Sequence, residues 1–285
     1  MTEAWSGMTN LWLIYGSVVQ FTLVNIGLAL STYVVMSTGV FSVAGVAFMA
    51  IGAYTSAIVT VRFGQPMPVG MVCGLALSLA VAGVLGPIVL RLRGHYLAIA
   101  TLGCVMGVYA ILMNANKLTG GALGMKSVPV VTETWQLILF VAILAYLFQV
   151  LGRSRIGRAW RAIRQDERAA ASMGINVFRY RLLAFVLSAP IAAVAGSLFV
   201  HLTGFAFPSN YEFSMALNMV SAVVLGGMNH WLGSVFGAVI LSILPEALRA
   251  LSHYRDIVNG LILVLTIIFL PRGLFDPRWL QQRLD

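Results

Sequence analysis

Apolar runs of about twenty residues, separated by short polar stretches, recur from one end of this chain to the other. About 20 apolar residues in a helix cover the roughly 30 Å of hydrocarbon in a bilayer. The pattern therefore predicts helices near 11–31, 36–61, 69–90, 96–113, 134–151, 181–201, 213–228, 232–249 and 257–271. The expected architecture is all-α: a polytopic membrane helix bundle of about nine transmembrane helices (8–10), in a single transmembrane domain over 1–285. The run 213–228 is short and ends at Gly226-Gly227, so 213–249 reads either as a tight helical hairpin or as a pair of partial helices beside a cavity.

Composition agrees with the pattern: 60% of the 285 residues are hydrophobic, 9% are charged, and the mean hydropathy is +0.92. The amino-terminal segment lacks a basic stretch before its first apolar run and a small-residue cleavage site, so that first helix is expected to serve as an uncleaved insertion signal. Cys73 and Cys104 both sit inside apolar runs and read as small buried side chains rather than a disulfide or metal pair, and no His/Cys cluster has metal-ligand spacing.

The net charge of +9 matters less than its placement. Residues 152–181 hold eight arginines against Asp166 and Glu167, a net +6, and the positive-inside rule puts this loop in the cytoplasm. Threading from that anchor places thirteen of the eighteen basic residues inside and five outside. Nine spans then put the N-terminus outside and the C-terminus in the cytoplasm.

No acidic residue falls in the middle of a span, which argues against an intramembrane carboxylate carrying protons or sodium. Small-residue pairs such as Gly70/Gly74, Gly103/Gly107 and Gly233/Gly237 allow helix backbones to approach closely. Trp5, Trp12, Trp135 and Trp231 lie near span ends, as in an aromatic belt. His95 and His201 read as satisfied polar side chains, and Glu246 with Arg249 as a surface pair.

Within the basic loop, Arg158 to Gly174 reads as one helix, rich in Ala and Arg, lacking Pro and closed by a glycine suited to a C-terminal cap. Arg161, Arg164 and Arg168 share one side of it. Such a helix could lie on anionic headgroups, which attract arginines by roughly 1 kcal/mol each.

The stretch from Arg161 through Gln165-Asp-Glu-Arg-Ala-Ala-Ala-Ser-Met-Gly174 to Ile175, followed by Tyr180-Arg-Leu-Leu-Ala-Phe185, resembles the cytoplasmic loop of permeases in branched-chain amino acid ABC transporters, the LivM/LivH family. Gly45–Thr55, His95–Gly103, Leu118–Gly124, and Val224–Met228 with Gly233–Ala238 resemble further segments of that family in the same order. The resemblance covers roughly residues 20–275 and is closer to LivM. It implies a permease domain whose cytoplasmic loop carries a coupling helix seated on an ATPase. By resemblance the coupling residues are Arg161, Arg164, Asp166, Glu167, Ala169, Ala170, Met173 and Gly174. From Glu167 to Gly174 the spacing is seven, one longer than the pattern of other ABC importers. Small alanines permit close approach to a partner, and glycine turns the chain without a Cβ clash.

The chain has no Gly-x-x-x-x-Gly-Lys-Ser/Thr sequence, so it is not expected to cradle nucleotide phosphates. No cofactor is expected on this chain, with ATP-Mg on partner ATPase subunits. The resemblance implies two ABC ATPase subunits, a second LivH-type permease as heterodimer partner and an external solute-binding protein, in the bacterial inner (plasma) membrane with its lipid and with no nucleic acid partner. It also covers permeases for urea, short amides and other small organic solutes. An ATP-independent transporter or channel would instead move solute in liposomes with no ATPase added. No convergent set of acids, His and Ser points to an enzyme.

Candidate path residues are Asn25, the Ser37-Thr38-Gly39 break, Tyr54 and Thr101, because a polar solute needs hydrogen-bond partners and interrupted helices expose backbone groups. Each also suits ordinary interhelical packing. Thr119-Gly120-Gly121, in an outer loop, either gates the path or reverses the chain.

Overall fold

The computed structural model describes the backbone of residues 2–92 and 94–247 and the side chains of 16–92 and 94–244. Eleven α-helices follow one another among the described residues: α1 (Thr2–Met36), α2 (Gly45–Phe63), α3 (Met67–Val89), α4 (His95–Asn114), α5 (Asn116–Thr119), α6 (Thr134–Arg153), α7 (Arg155–Gln165), α8 (Glu167–Ser172), α9 (Val177–Thr203), α10 (Phe213–Gly226) and α11 (Trp231–Ala247). Six of them, α1, α2, α3, α4, α6 and α9, are long and apolar enough to cross a membrane. At 1.5 Å per residue the fourteen residues of α10 rise only about 21 Å, less than the hydrocarbon thickness. The run expected at 257–271, Arg93 and Arg249 lie outside the described residues, as do the side chains of Trp5, Trp12 and Glu246, so the Glu246–Arg249 pair is not described.

The run expected to begin at 36 starts instead at Gly45. Ser37 Oγ donates to Val34 O and Thr38 Oγ1 to Val35 O, each at 2.7 Å, and Gly39 then turns with φ +76°. Two hydroxyls bonded back to the last turn and a left-handed glycine are a helix stop.

The core of the bundle is formed by α1, α2 and α9, with α3 packed against α2 and α9. Lipid tails are as apolar as leucine, so close van der Waals packing rather than water exclusion must hold such helices together. Small residues provide it: a Cβ at Gly52 would collide with the backbone of Ala193, one at Gly196 with the carbonyl of Met49, and one at Gly74 would sit 2.9 Å from Gly52 O. Phe48 and Phe185 meet edge to face at 5.4 Å across the α2–α9 contact. The α10–α11 hairpin packs against α1. Gly226, Gly233 and Gly237 bring α10 and α11 so close that a Cβ at any of them would strike the facing backbone. The hairpin reading of 213–249 therefore describes these two helices.

α4 and α6 keep most of their length exposed. Gly103 and Gly107 of α4 have open space around them, so this small-residue pair, unlike Gly70/Gly74 and Gly233/Gly237, packs on nothing among the described residues. Cys73 and Cys104 are free thiols, as expected, but neither is fully buried: Cys73 is exposed on α3 and Cys104 is half-buried on α4.

Candidate functional site

The basic segment folds as two helices, not one. α7 starts at Ser154, whose hydroxyl accepts from Gly157 N at 3.2 Å, and ends at Gln165. Asp166 then adopts an extended conformation and its Oδ1 accepts from Arg168 N at 2.8 Å and Ala169 N at 2.9 Å, capping α8. Composition hides this break, because nothing between Arg158 and Gly174 is Pro or Gly; the signal is Asp166 itself, a strong N-cap residue. At the far end the expected glycine stop is present. Ile175 N bonds to Ala170 O at 3.1 Å and Gly174 N to Ala171 O at 3.0 Å, with Gly174 at φ +83°. These two bonds make a Schellman motif.

The two helices differ in how they meet the bundle. α7 is held from below: Gly157, Ala159, Trp160 and Ile163 are buried, and Trp160 Nε1 donates to Tyr180 O of α9 at 3.0 Å. Arg164 donates from Nη1 to Met228 O and from Nη2 to Asn229 Oδ1, the latter at 3.1 Å, in the turn between α10 and α11. Burial lowers the Arg164 pKa from its ordinary value. Gly39 stands on the other side, where a Cβ would lie 3.3 Å from Arg164 Cα. α7 is thus wedged among the end of α1, the α10–α11 turn and α9.

α8 projects outward. Glu167, Asp166, Ala169 and Gly174 are exposed, Met173 is 82% exposed, and only Ala170 turns inward. Arg161 is exposed and bonds Gly152 O at 3.1 Å. Glu167 pairs with Arg181 of α9 at 2.9 Å, the one ion pair among the described residues. Being half-exposed, it contributes at most about 1 kcal/mol.

The sequence-expected path residues do not gather in one place. Ser37, Thr38 and Gly39 lie at the basic-loop end, where Gly39 faces Arg164, and Thr101 Oγ1 accepts from Val43 N at 3.3 Å in the turn that follows them. Asn25 Nδ2 donates to Ser242 Oγ of α11 at 2.9 Å, in the α1–α11 contact. Tyr54 Oη donates to Ala206 O at 3.0 Å near the opposite end. Thr119 Oγ1 donates to Leu112 O at 2.7 Å and accepts from Gly121 N at 3.2 Å, while Gly120 and Gly121 have positive φ. Each is engaged with protein, as the packing alternative expects.

Further buried polar groups lie outside the expected path residues. Tyr211, fully buried, lies 6.0 Å from the Tyr54 ring and leaves its Oη without a partner among the described residues; burial, then Tyr54, pushes its pKa well above the ordinary value. Ser56 Oγ and His201 Nε2 are likewise buried and without a partner among the described residues. His201 Nδ1 faces Ser197 O at 2.9 Å, which requires the proton on Nδ1 and leaves Nε2 a bare acceptor. His201 is therefore only half satisfied. The segment after α5 is fastened to the segment after α9 by a two-bond bridge between Met125 and Ala206, both 2.9 Å.

The family described as branched-chain amino acid transport system / permease component matches residues 13–270. The high-affinity branched-chain amino acid transport system permease protein LivM of Salmonella typhimurium is 32% identical over 90% of this chain and 69% of its own length. LivM of Escherichia coli K12 is 30% identical, covering 96% of this chain and 72% of its own length. The permease protein LivH of Escherichia coli K12 is 36% identical over 48% of this chain and 45% of its own length. No solved structure matches.

Proposed function

This chain belongs to the branched-chain amino acid transport permease family, and on that premise we propose that it carries branched-chain or closely related amino acids inward across the bacterial inner membrane. It is the permease subunit of an ATP-binding cassette importer and not an enzyme. In our reading two ATPase subunits, holding the ATP-Mg, drive it; a LivH-type permease pairs with it; and an external solute-binding protein delivers the solute. The ninth helix at 257–271 completes a bundle with its N-terminus outside and its C-terminus in the cytoplasm, where the net +6 loop also lies.

The observation that carries the coupling assignment is the contrast between α7 and α8. α8 offers Ala169, Ala171 and the exposed Met173 as a small apolar contact surface, ended by the Gly174 turn. α7, continuous with it through Asp166, is bonded to α9 and to the α10–α11 turn and packs against Gly39 at the end of α1. A push on α8 from an ATPase would reach α1, α9 and the α10–α11 turn together through Arg164 and Trp160. Two-state motion of these elements is what alternating exposure of a solute site requires.

The test uses the complex in proteoliposomes. Gly174→Asp, or removal of Ala169-Ala170, should leave the protein inserted while abolishing ATPase association or uptake. Normal uptake in both variants would remove the coupling assignment. Uptake of leucine, isoleucine and valine by the wild-type complex, competed against urea and short amides, decides the solute class.

A further inference from the structure

Where the end of α6 meets α7 and the α10–α11 turn, a cavity of about 290 Å³ opens beside Arg153 and Arg161. Tyr33, Phe148, Trp160 and Trp231 line it, with Phe148 and Trp231 stacked at 6.5 Å. A single water needs only roughly 10–15 Å³, so the space suits a larger group. No Asp or Glu lines it. Arg161 bonds one carbonyl, Gly152 O, and neither arginine has an acidic partner among the described residues. The indole N–H of Trp231 is also buried without an acceptor there.

The position of the cavity narrows the occupant. α6 has twenty residues, a rise of about 30 Å, and the cavity lies at its C-terminal end, the depth at which a bilayer presents its headgroups. Gln149 lines the cavity, and Ala145, Ala142 and Ile138 continue along the same face of α6 at spacings of four, three and four. Ala142 and Ile138 are exposed and Ala145 is half-buried, so an apolar track leads from the cavity mouth into the hydrocarbon.

We propose that this cavity binds the phosphate headgroup of an anionic membrane lipid, the phosphate held by Arg153 and Arg161 and one acyl chain lying along α6. Guanidinium groups match phosphate with paired hydrogen bonds, aromatic side chains favour this interfacial depth, and basic pockets between helices are where membrane proteins hold such headgroups. The apolar track favours a lipid over free phosphate or a carboxylate from a partner chain. The site does not depend on which solute is carried.

The full chain, assembled with its ATPase subunits, is exchanged into phosphatidylcholine nanodiscs containing phosphatidylglycerol, and retained lipid is counted by native mass spectrometry. Wild type should retain phosphatidylglycerol. Arg153→Gln and Arg161→Gln should each weaken retention about fivefold, and Arg158→Gln should not, because Arg158 does not line the cavity and bonds the Arg153 carbonyl instead. Undiminished retention in the double variant, or equal loss in Arg158→Gln, overturns the proposal. Competition by inorganic phosphate reassigns the site to a soluble anion. Retention only in a chain stripped of ATPase subunits assigns the cavity to a partner's carboxylate, and either result also overturns it. If a variant fails to fold, quenching of wild-type tryptophan emission decides: brominated phosphatidylglycerol must quench more than brominated phosphatidylcholine.

Discussion

Arg164 reaches from α7 to Asn229 with an Nη2–Oδ1 distance of 3.1 Å, joining the basic segment to the turn between α10 and α11. Its second bond, from Nη1, goes to the Met228 carbonyl of the same turn. A hydrogen bond to a charged group contributes about 1.5–3 kcal/mol, and both bonds leave one guanidinium whose burial discourages rearrangement. Arg164→Gln should therefore leave ATPase association intact, since α8 is untouched, while lowering uptake about tenfold or more. Asn229→Ala should have a smaller effect, and the two together less than their sum, because both remove the same hydrogen bond. Co-purification and uptake measured side by side check this; wild-type uptake in Arg164→Gln would show that the clasp transmits nothing.

Gly39 faces the backbone of Arg164 with φ +76°. A left-handed conformation costs an L-residue roughly 1–2 kcal/mol, and here an added Cβ also presses on Arg164 Cα. Gly64, at φ +62°, has nothing within 4 Å of its Cβ position and isolates the backbone contribution. Gly39→Ala should lower the thermal unfolding midpoint in detergent more than Gly64→Ala does. Equal shifts would mean that α7 gives way freely.

Asp166 separates α7 from α8 by capping the second helix. Loss of an N-cap side chain costs about 1 kcal/mol, whereas Asn caps nearly as well as Asp. Asp166→Asn should therefore support normal ATPase association, and Asp166→Ala should weaken it several-fold by letting α8 fray. If both weaken it equally, the carboxylate charge, not the cap, is what the partner senses.

The membrane-spanning framework was legible because an apolar run of twenty residues has few stable forms in lipid: α3, α4, α6 and α9 lie within a few residues of the expected spans. The Gly174 stop was legible as well, since glycine has a specific use at a helix end. The Asp166 break was not, because an Asp between helix-forming residues caps only if the chain bends there. Arg164 could be singled out by resemblance, but its main partner is a backbone carbonyl, which any residue supplies. Gly103/Gly107 and Gly233/Gly237 have the same spacing, and only the fold shows that one pair meets a neighbouring backbone and the other meets none among the described residues.

That difference between glycines is testable. A Cβ at Gly196 would meet the Met49 carbonyl and the Ala53 nitrogen, backbone atoms that cannot move aside as a side chain can. Gly196→Ala should prevent accumulation of folded protein or lower its unfolding midpoint sharply. Gly103→Ala, with open space around it, should be tolerated and gain up to about 1 kcal/mol of helix propensity. Size-exclusion profiles and thermal melts of the two variants separate these outcomes.

His230, in the α10–α11 turn beside the Arg161 cavity, has its pKa lowered from 6.5, first by burial and then by Arg161. Its neutral form is thus favoured in the folded protein, and the unfolded chain takes up a proton at higher pH than the folded one does. Stability from this group is fully present above about 6.5 and is lost as pH falls from there through the lowered folded value. Melts across that range should show wild type losing stability on acidification and His230→Gln losing less. Arg161→Gln should narrow the window by removing part of the cause. Anionic lipid gives the sharper contrast: a phosphate held by Arg161 would favour the imidazolium, bring the folded pKa back toward 6.5 and reduce the acid loss. Phosphatidylglycerol nanodiscs should therefore flatten the pH dependence relative to phosphatidylcholine, and His230→Gln should show no such difference. If both lipids give the same slope for wild type, no phosphate lies near His230.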